Sequence, residues 1–345
     1  FDRMHELVGP ENVIVAAHVG GRYADIGRFF DQKLCHLVEI VSCWGIFEWL
    51  LWDAFEAGHI VGVMCNSDGH KGRPGAEAPG AGQFGIANGL TCVLVPELTR
   101  QHVFDALRAR RCYGTTGPRI DLDFDVDGNP MGAVIPWREN VRVRGAVTGT
   151  APMESLYLYR GREAIREVRP QAFAEARDSR RIRVSWGGAR IRGRGRRVTW
   201  DGAVTVDGVH IVDASPFAFD AVTDGILKQD VQQIAFRSRT TGDRDGLDLW
   251  LDHAGSGTLS FESPVGSFQV DLEQLRLPGS RQVLQLGGLE MHVCVESYPE
   301  NLVDYRLTLD ADIVPPASQR TPYLLKAVQS DGHMAWSSPI YIEAR

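Results

Sequence analysis

Lysine is nearly missing from this chain: Lys33, Lys71, Lys228 and Lys326 are the only four in 345 residues, and arginine supplies the other positive charges. That bias fits a GC-rich genome better than a binding function. The formal net charge is −7, which excludes a global basic field of the kind that gathers nucleic acid. No apolar run approaches the roughly 20 residues that a membrane-spanning helix needs. None of the six cysteines (Cys35, Cys43, Cys65, Cys92, Cys112, Cys294) stands in a CxxC pair, so a zinc ribbon or a dithiol redox motif is excluded. They read as reduced, mostly buried thiols of a cytoplasmic protein. No Gly-Lys-Ser/Thr closes a glycine-rich loop, so this is no Walker nucleotide site. The chain starts at Phe1, without Met and without a signal sequence, and reads as the middle of a longer protein.

The composition that remains is ordinary for a globular protein, with 43% hydrophobic and 23% charged residues, and the length allows two cores. The most informative stretch is Ser67-Asp68-Gly69-His70, which follows the β-branched run Ile60–Cys65. A carboxylate and an imidazole spaced D-x-H at a strand end suit a divalent ion such as Zn²⁺ or Mn²⁺. Val13–Ala17 repeats the design, ending in His18 and then Gly20-Gly21-Arg22. Two strand ends that each present metal-type ligands are how an α/β barrel builds a site.

Residues 1–117 alternate strand-like and helix-like segments, with strands expected at Val13–Ala17, Leu37–Ser42, Ile60–Cys65 and Leu90–Val95. Helices are expected at Phe47–Gly58 and Arg100–Arg111, with Glu48 at the start of the first, where a carboxylate favours the dipole. Such alternation predicts parallel strands. From Arg119 onward the segments are short and alternating, separated by Asp-Gly turns, as in a β-sandwich. The domain boundary is expected at Gly117-Pro118, giving 1–117 as an α/β part and 118–345 as a β-rich part. Thirteen arginines against four acidic residues between Arg160 and Arg197 read as solvated strand faces.

Residues 71–89 are rich in glycine and proline and form a long irregular loop, which in a compact domain is usually functional or disordered. Lys71 and Arg73 follow His70 closely, and Arg22 lies four residues past His18. Positive groups beside a metal suit an anionic substrate, and arginine grips phosphate bidentately. Glu39 ends a strand near the same rim, as a ligand, a base or a structural carboxylate. Ser330-Asp331-Gly332-His333 has the same letters as residues 67–70 but joins two strand-like segments, so it is expected to be a hairpin turn.

Taken in order, Ala17-His18-Val19-Gly20-Gly21-Arg22, Val38-Glu39-Ile40 with Trp44-Gly45, Ser67-Asp68-Gly69-His70, and Tyr113-Gly114-Thr115-Thr116-Gly117 resemble the PHP (polymerase and histidinol phosphatase) superfamily. The resemblance implies a distorted seven-stranded (β/α) barrel, here lacking its N-terminal half, followed by an appended β domain. It implies His18, Asp68 and His70 as ligands of divalent metal (Zn²⁺, Mn²⁺ or Fe²⁺), and hydrolysis of a small phosphorylated substrate by a metal-activated water. Arg22, Glu39, Lys71 and Arg73 would assist. It also implies that a missing upstream half supplies further ligands. The alternative is a non-catalytic binding or scaffold protein that recognises its ligand through the β domain.

Overall fold

In the computed structural model of the chain, residues 1–19, 24–70, 72, 88–193, 197–277 and 280–345 are described below. Strands make up about 48% of the protein and helix about 12%. Two compact units divide the chain. Among the described residues, one comprises those of 1–82, 88–169 and 304–345, the other those of 170–303.

In the first unit, Val15–Ala17 and Gly62–Cys65 flank Cys35–Ser42 and run parallel to it. Every residue of Cys35–Ser42 is buried, as a β-branched strand covered on both faces requires. Gly45–Ile46 folds back on its end through the tight turn at Cys43-Trp44. The helix Glu48–Glu56 follows, burying Trp49, Leu50, Leu51, Trp52 and Ala54. Glu48 stands at its start as expected. Its carboxylate takes the Trp336 indole N–H and pairs with Lys326 at 2.7 Å.

The expected barrel is not what forms. Leu90–Val93 does not add a fourth parallel strand; it pairs antiparallel with Cys112–Thr115, which pairs antiparallel with Met334–Ser337. That ladder continues through Thr321–Gln329 and Met153–Arg160 into an eight-stranded sheet. Among the described residues the parallel region is one small sheet and no α/β barrel is present, so the reading of residues 1–117 as a partial barrel is overturned. Strands from both sides of Gly117-Pro118 share the eight-stranded sheet. A four-stranded sheet built on Val141–Thr148, whose inward residues alternate cleanly, shares its apolar core with the eight-stranded one.

The outer edge of Gly62–Cys65 meets hydroxyl groups rather than another strand. Tyr341 Oη accepts from the Val61 N–H at 2.9 Å and donates to the Val61 carbonyl at 2.8 Å. Ser338 Oγ accepts from the Val63 N–H at 2.9 Å. Thr91 Oγ1 accepts from the Cys65 N–H at 3.1 Å and donates to the Cys65 carbonyl at 2.8 Å. Every second N–H of a strand points to the same side, so three hydroxyls satisfy the N–H groups of this edge, and the Val63 carbonyl accepts from Cys112 Sγ at 3.4 Å. Close packing accompanies this: a Cβ on Gly114 would sit 2.2 Å from Cys65 Sγ, and one on Gly62 would sit 2.8 Å from Ser338 Oγ.

The second unit packs two five-stranded antiparallel sheets about one apolar cluster. Trp186 is its centre, stacked on Phe236 at 4.3 Å, and its indole N–H donates to Ser238 Oγ at 2.7 Å. Ser238 in turn donates to the buried Asp245 at 2.6 Å. Burial pushes the Asp243 carboxyl up to about 6, and burial together with Asp243 pushes Asp245 up further. Arg181 and Arg183 depart from the solvated reading of the arginine run. Arg183 is buried and forks onto Asp248 with two bonds of 2.8 Å, and Arg181 reaches the same carboxylate at 2.7 Å.

Two outcomes follow from these arrangements. Tyr341→Phe strands the Val61 N–H and carbonyl in the interior and should destabilise the first unit by about 1–3 kcal/mol. Hydrogen exchange of the Val61 amide should accelerate accordingly. For Asp243 the folded carboxyl binds its proton more tightly than the unfolded one, so its contribution to stability is complete below about 4 and is lost as pH rises through about 6. Unfolding of the second unit followed across that range should show the fall, and Asp243→Asn should lessen its slope while the part due to Asp245 remains.

Candidate metal site

Parallel strands send their carboxyl ends to one rim, where open α/β sheets bind ligands. Val15–Ala17 delivers His18 there, Cys35–Ser42 delivers Glu39 within it and Cys43 just after it, and Gly62–Cys65 delivers Asn66, Asp68 and His70. Asp68 adopts φ 45°, a left-handed conformation that Asp and Asn tolerate better than most residues. That turn points its carboxylate back over the rim.

Of the three residues expected to converge, His18 approaches Asp68, and Asp68 and His70 fall in one cluster with Cys43. His18 Nε2 lies 3.6 Å from Asp68 Oδ2. That separation places the imidazole beside an ion held by the carboxylate, or beside the water of that ion. A hydrogen bond does not account for it: Asp68 Oδ2 is buried and has no hydrogen-bond partner among the described residues. On its other side His18 Nδ1 contacts Glu39 Oε2, while Glu39 Oε1 accepts from the Asn66 amide at 2.7 Å. The carboxylate therefore fixes the imidazole with Nδ1 protonated and Nε2 turned to Asp68. This is the carboxylate–histidine arrangement that stands behind metal ligands.

Cys43, Asp68 and His70 form the one group of three metal-type side chains found among the described residues, with donor atoms all within 4.8 Å of one another. Cys43 Sγ donates to the Asp68 carbonyl oxygen at 3.2 Å and lies 3.8 Å from His70 Nδ1. Burial, then the Asp68 charge, pushes the Cys43 thiol up to about 12 in the metal-free protein. The edge of Trp44 flanks the His70 ring at 5.8 Å. A thiol, an imidazole and a carboxylate whose buried oxygen accepts no hydrogen bond among the described residues form a donor set that a borderline divalent ion satisfies.

Sequence reasoning brought His18, Glu39, Asp68 and His70 to this rim but overlooked Cys43 and Asn66. The signal for Cys43 was available, since it follows a strand just as His18 and Asp68 do. Its hydrophobic surroundings made it read as an inert core thiol. Arg22, Lys71 and Arg73 lie outside the described residues. His333 sits in the turn between Thr321–Gln329 and Met334–Ser337, held by Thr116 Oγ1 at 2.9 Å, as its Asp-Gly setting predicts.

Residues 60–157 match a family described as a protein of unknown function (DUF3604). An uncharacterised protein of Chlamydia pneumoniae is 34% identical over 96 residues, 26% of this chain and 16% of that protein. An uncharacterised protein of Chlamydia trachomatis is 34% identical over 192 residues, 48% of this chain and 30% of its own length. The matched stretches thus span less than a third of these relatives. Among solved structures, the pilin subunit BcpA of Bacillus cereus aligns over 68% of this chain and 67% of its own at 7% identity and a TM-score of 0.13, too low to carry an argument about fold. The family match is therefore not to the PHP superfamily, and with the sheets described above it overturns that resemblance and the barrel drawn from it.

Asp68→Asn keeps the left-handed turn and removes the charge. It should lower Zn²⁺ affinity at least about ten-fold by titration calorimetry, the scale on which lost metal-site groups are felt. Asp68→Ala should also lower thermal stability, because alanine does not tolerate the positive φ. His333→Ala should leave Zn²⁺ affinity unchanged.

Proposed function

We propose that this chain binds a divalent metal ion at the rim formed by His18, Asp68 and His70 and hydrolyses a small anionic ester, a phosphate ester first among them. The observation that carries the reading is the buried Asp68 Oδ2, which accepts no hydrogen bond among the described residues and lies 3.6 Å from an imidazole that Glu39 holds in orientation. A divalent ion supplies two things there: it lowers the pKa of water toward neutrality and polarises a phosphoryl oxygen. The protein's own part is positioning. Asp68 and His70 contribute a carboxylate and an imidazole from one left-handed turn. Glu39 keeps His18 Nε2 turned inward, toward the ion or its water. Lys71 and Arg73, adjoining His70 in sequence, and Arg22, close after His18, supply positive charge for an anionic substrate.

The net charge of −7 gives nucleic acid no global basic field to bind. Among the described residues no helix is long and apolar enough to cross a membrane.

The test is hydrolysis of p-nitrophenyl phosphate and bis-p-nitrophenyl phosphate by the chelated and the Zn²⁺- or Mn²⁺-loaded chain. Turnover should require metal and should vanish in Asp68→Asn and His70→Ala. A metal-loaded chain that turns over neither ester would overturn the hydrolase reading and favour a binding protein that recognises its ligand through the β-rich part.

A further inference from the structure

The reading above leaves open which ion the rim prefers and how many protein donors hold it. Both questions turn on Cys43. Its Sγ lies within 4.8 Å of donor atoms of both Asp68 and His70, and it already aims at this turn through its 3.2 Å bond to the Asp68 carbonyl. The other cysteines of the parallel region serve different surroundings: Cys65 is packed against Gly114, and Cys35 begins the central strand at its opposite end. Backbone geometry also holds Cys43 in place, because it occupies the two-residue turn between Ser42 and Gly45, which pair with each other.

We infer that Cys43 is a metal ligand, that Cys43, Asp68 and His70 together are the three protein donors of the ion, and that its sulfur makes this a zinc site rather than a manganese or magnesium site. The inference rests on the metal-binding reading given above. On binding, Sγ gives its proton to solvent and a lone pair to the ion, with no change of oxidation state. A thiolate is a soft donor that suits Zn²⁺ and does little for Mn²⁺ or Mg²⁺, which favour oxygen. Three protein donors are the number that a catalytic zinc site uses, with the fourth position left for water. His18 is not part of the close three-donor group, although its Nε2 faces Asp68, and it is thereby assigned to that open side.

The experiment loads the whole chain with Co²⁺ in place of Zn²⁺ and records the near-ultraviolet sulfur-to-cobalt charge-transfer band, while equilibrium dialysis counts bound metal. The wild-type chain should bind one Co²⁺ per chain with the band present. Cys43→Ser should bind Co²⁺ without the band. In competition it should lose about ten-fold or more of its affinity for Zn²⁺ relative to Mn²⁺. Cys65→Ala should keep the band. Bound Co²⁺ with no band in the wild-type protein would overturn the inference however the variants fold, as would a band that survives in Cys43→Ser; both would leave the metal-binding reading standing. Failure of the wild-type chain to bind Co²⁺ or Zn²⁺ at all would overturn that reading and this inference with it.

Discussion

Three hydroxyl groups decide the architecture of the first unit. Gly62–Cys65 has a strand on one side, and on the other its outward N–H groups are taken by Tyr341, Ser338 and Thr91. An unpaired edge in the interior would leave those groups without partners, and each stranded group costs on the order of 1–3 kcal/mol. A further parallel strand would be the common answer. Side chains carried by other parts of the unit do the work instead, and the parallel sheet stops growing. Its rim stays short, and the residues that follow its strands come together in a small space.

The same feature explains why the sequence was legible in its parts and misleading in its sum. The strands at Val15–Ala17, Cys35–Ser42 and Gly62–Cys65, and the helices at Glu48–Glu56 and Arg100–Arg108, follow from apolar runs and helical spacing, and they lie within a few residues of where the pattern put them. The Asp331-Gly332 hairpin follows from turn chemistry. What periodicity does not encode is the partner of a strand. Leu90–Val93 looks like any buried strand, and nothing in its four residues tells a parallel neighbour from the antiparallel Cys112–Thr115 that it takes. The barrel was an extrapolation from alternation, and a pairing between residues more than two hundred positions apart, Cys112–Thr115 with Met334–Ser337, replaced it.

For the site, the readable feature was the strand end. The rule that strand carboxyl ends share a face brought His18 and Asp68 together from fifty positions apart. It applied equally to Cys43, where chemical habit prevailed, since a cysteine among apolar residues is usually core. Glu39 shows the opposite limit. Its place within a fully buried strand says that it must be paired, but only the fold shows that its partners are an imidazole and an amide. The second unit repeats this lesson away from the rim. Arg183 and Asp248 lie on adjacent strands as a buried fork that a run of arginines in sequence gives no reason to expect.

The hydroxyl-capped edge also bears on the order in which the protein comes into being. Among the described residues, His18, Glu39, Cys43, Asp68 and His70 all leave the ribosome long before Ser338 and Tyr341, about 275 residues further on. Until that last stretch emerges, the outer edge of Gly62–Cys65 is bare and open to pairing with any passing strand. Contacts of such long sequence separation form late and slowly. The nascent chain therefore carries the polar residues of the rim on an unfinished frame. A chain cut short before residue 338 would keep those residues and lack the groups that hold the strand beneath them.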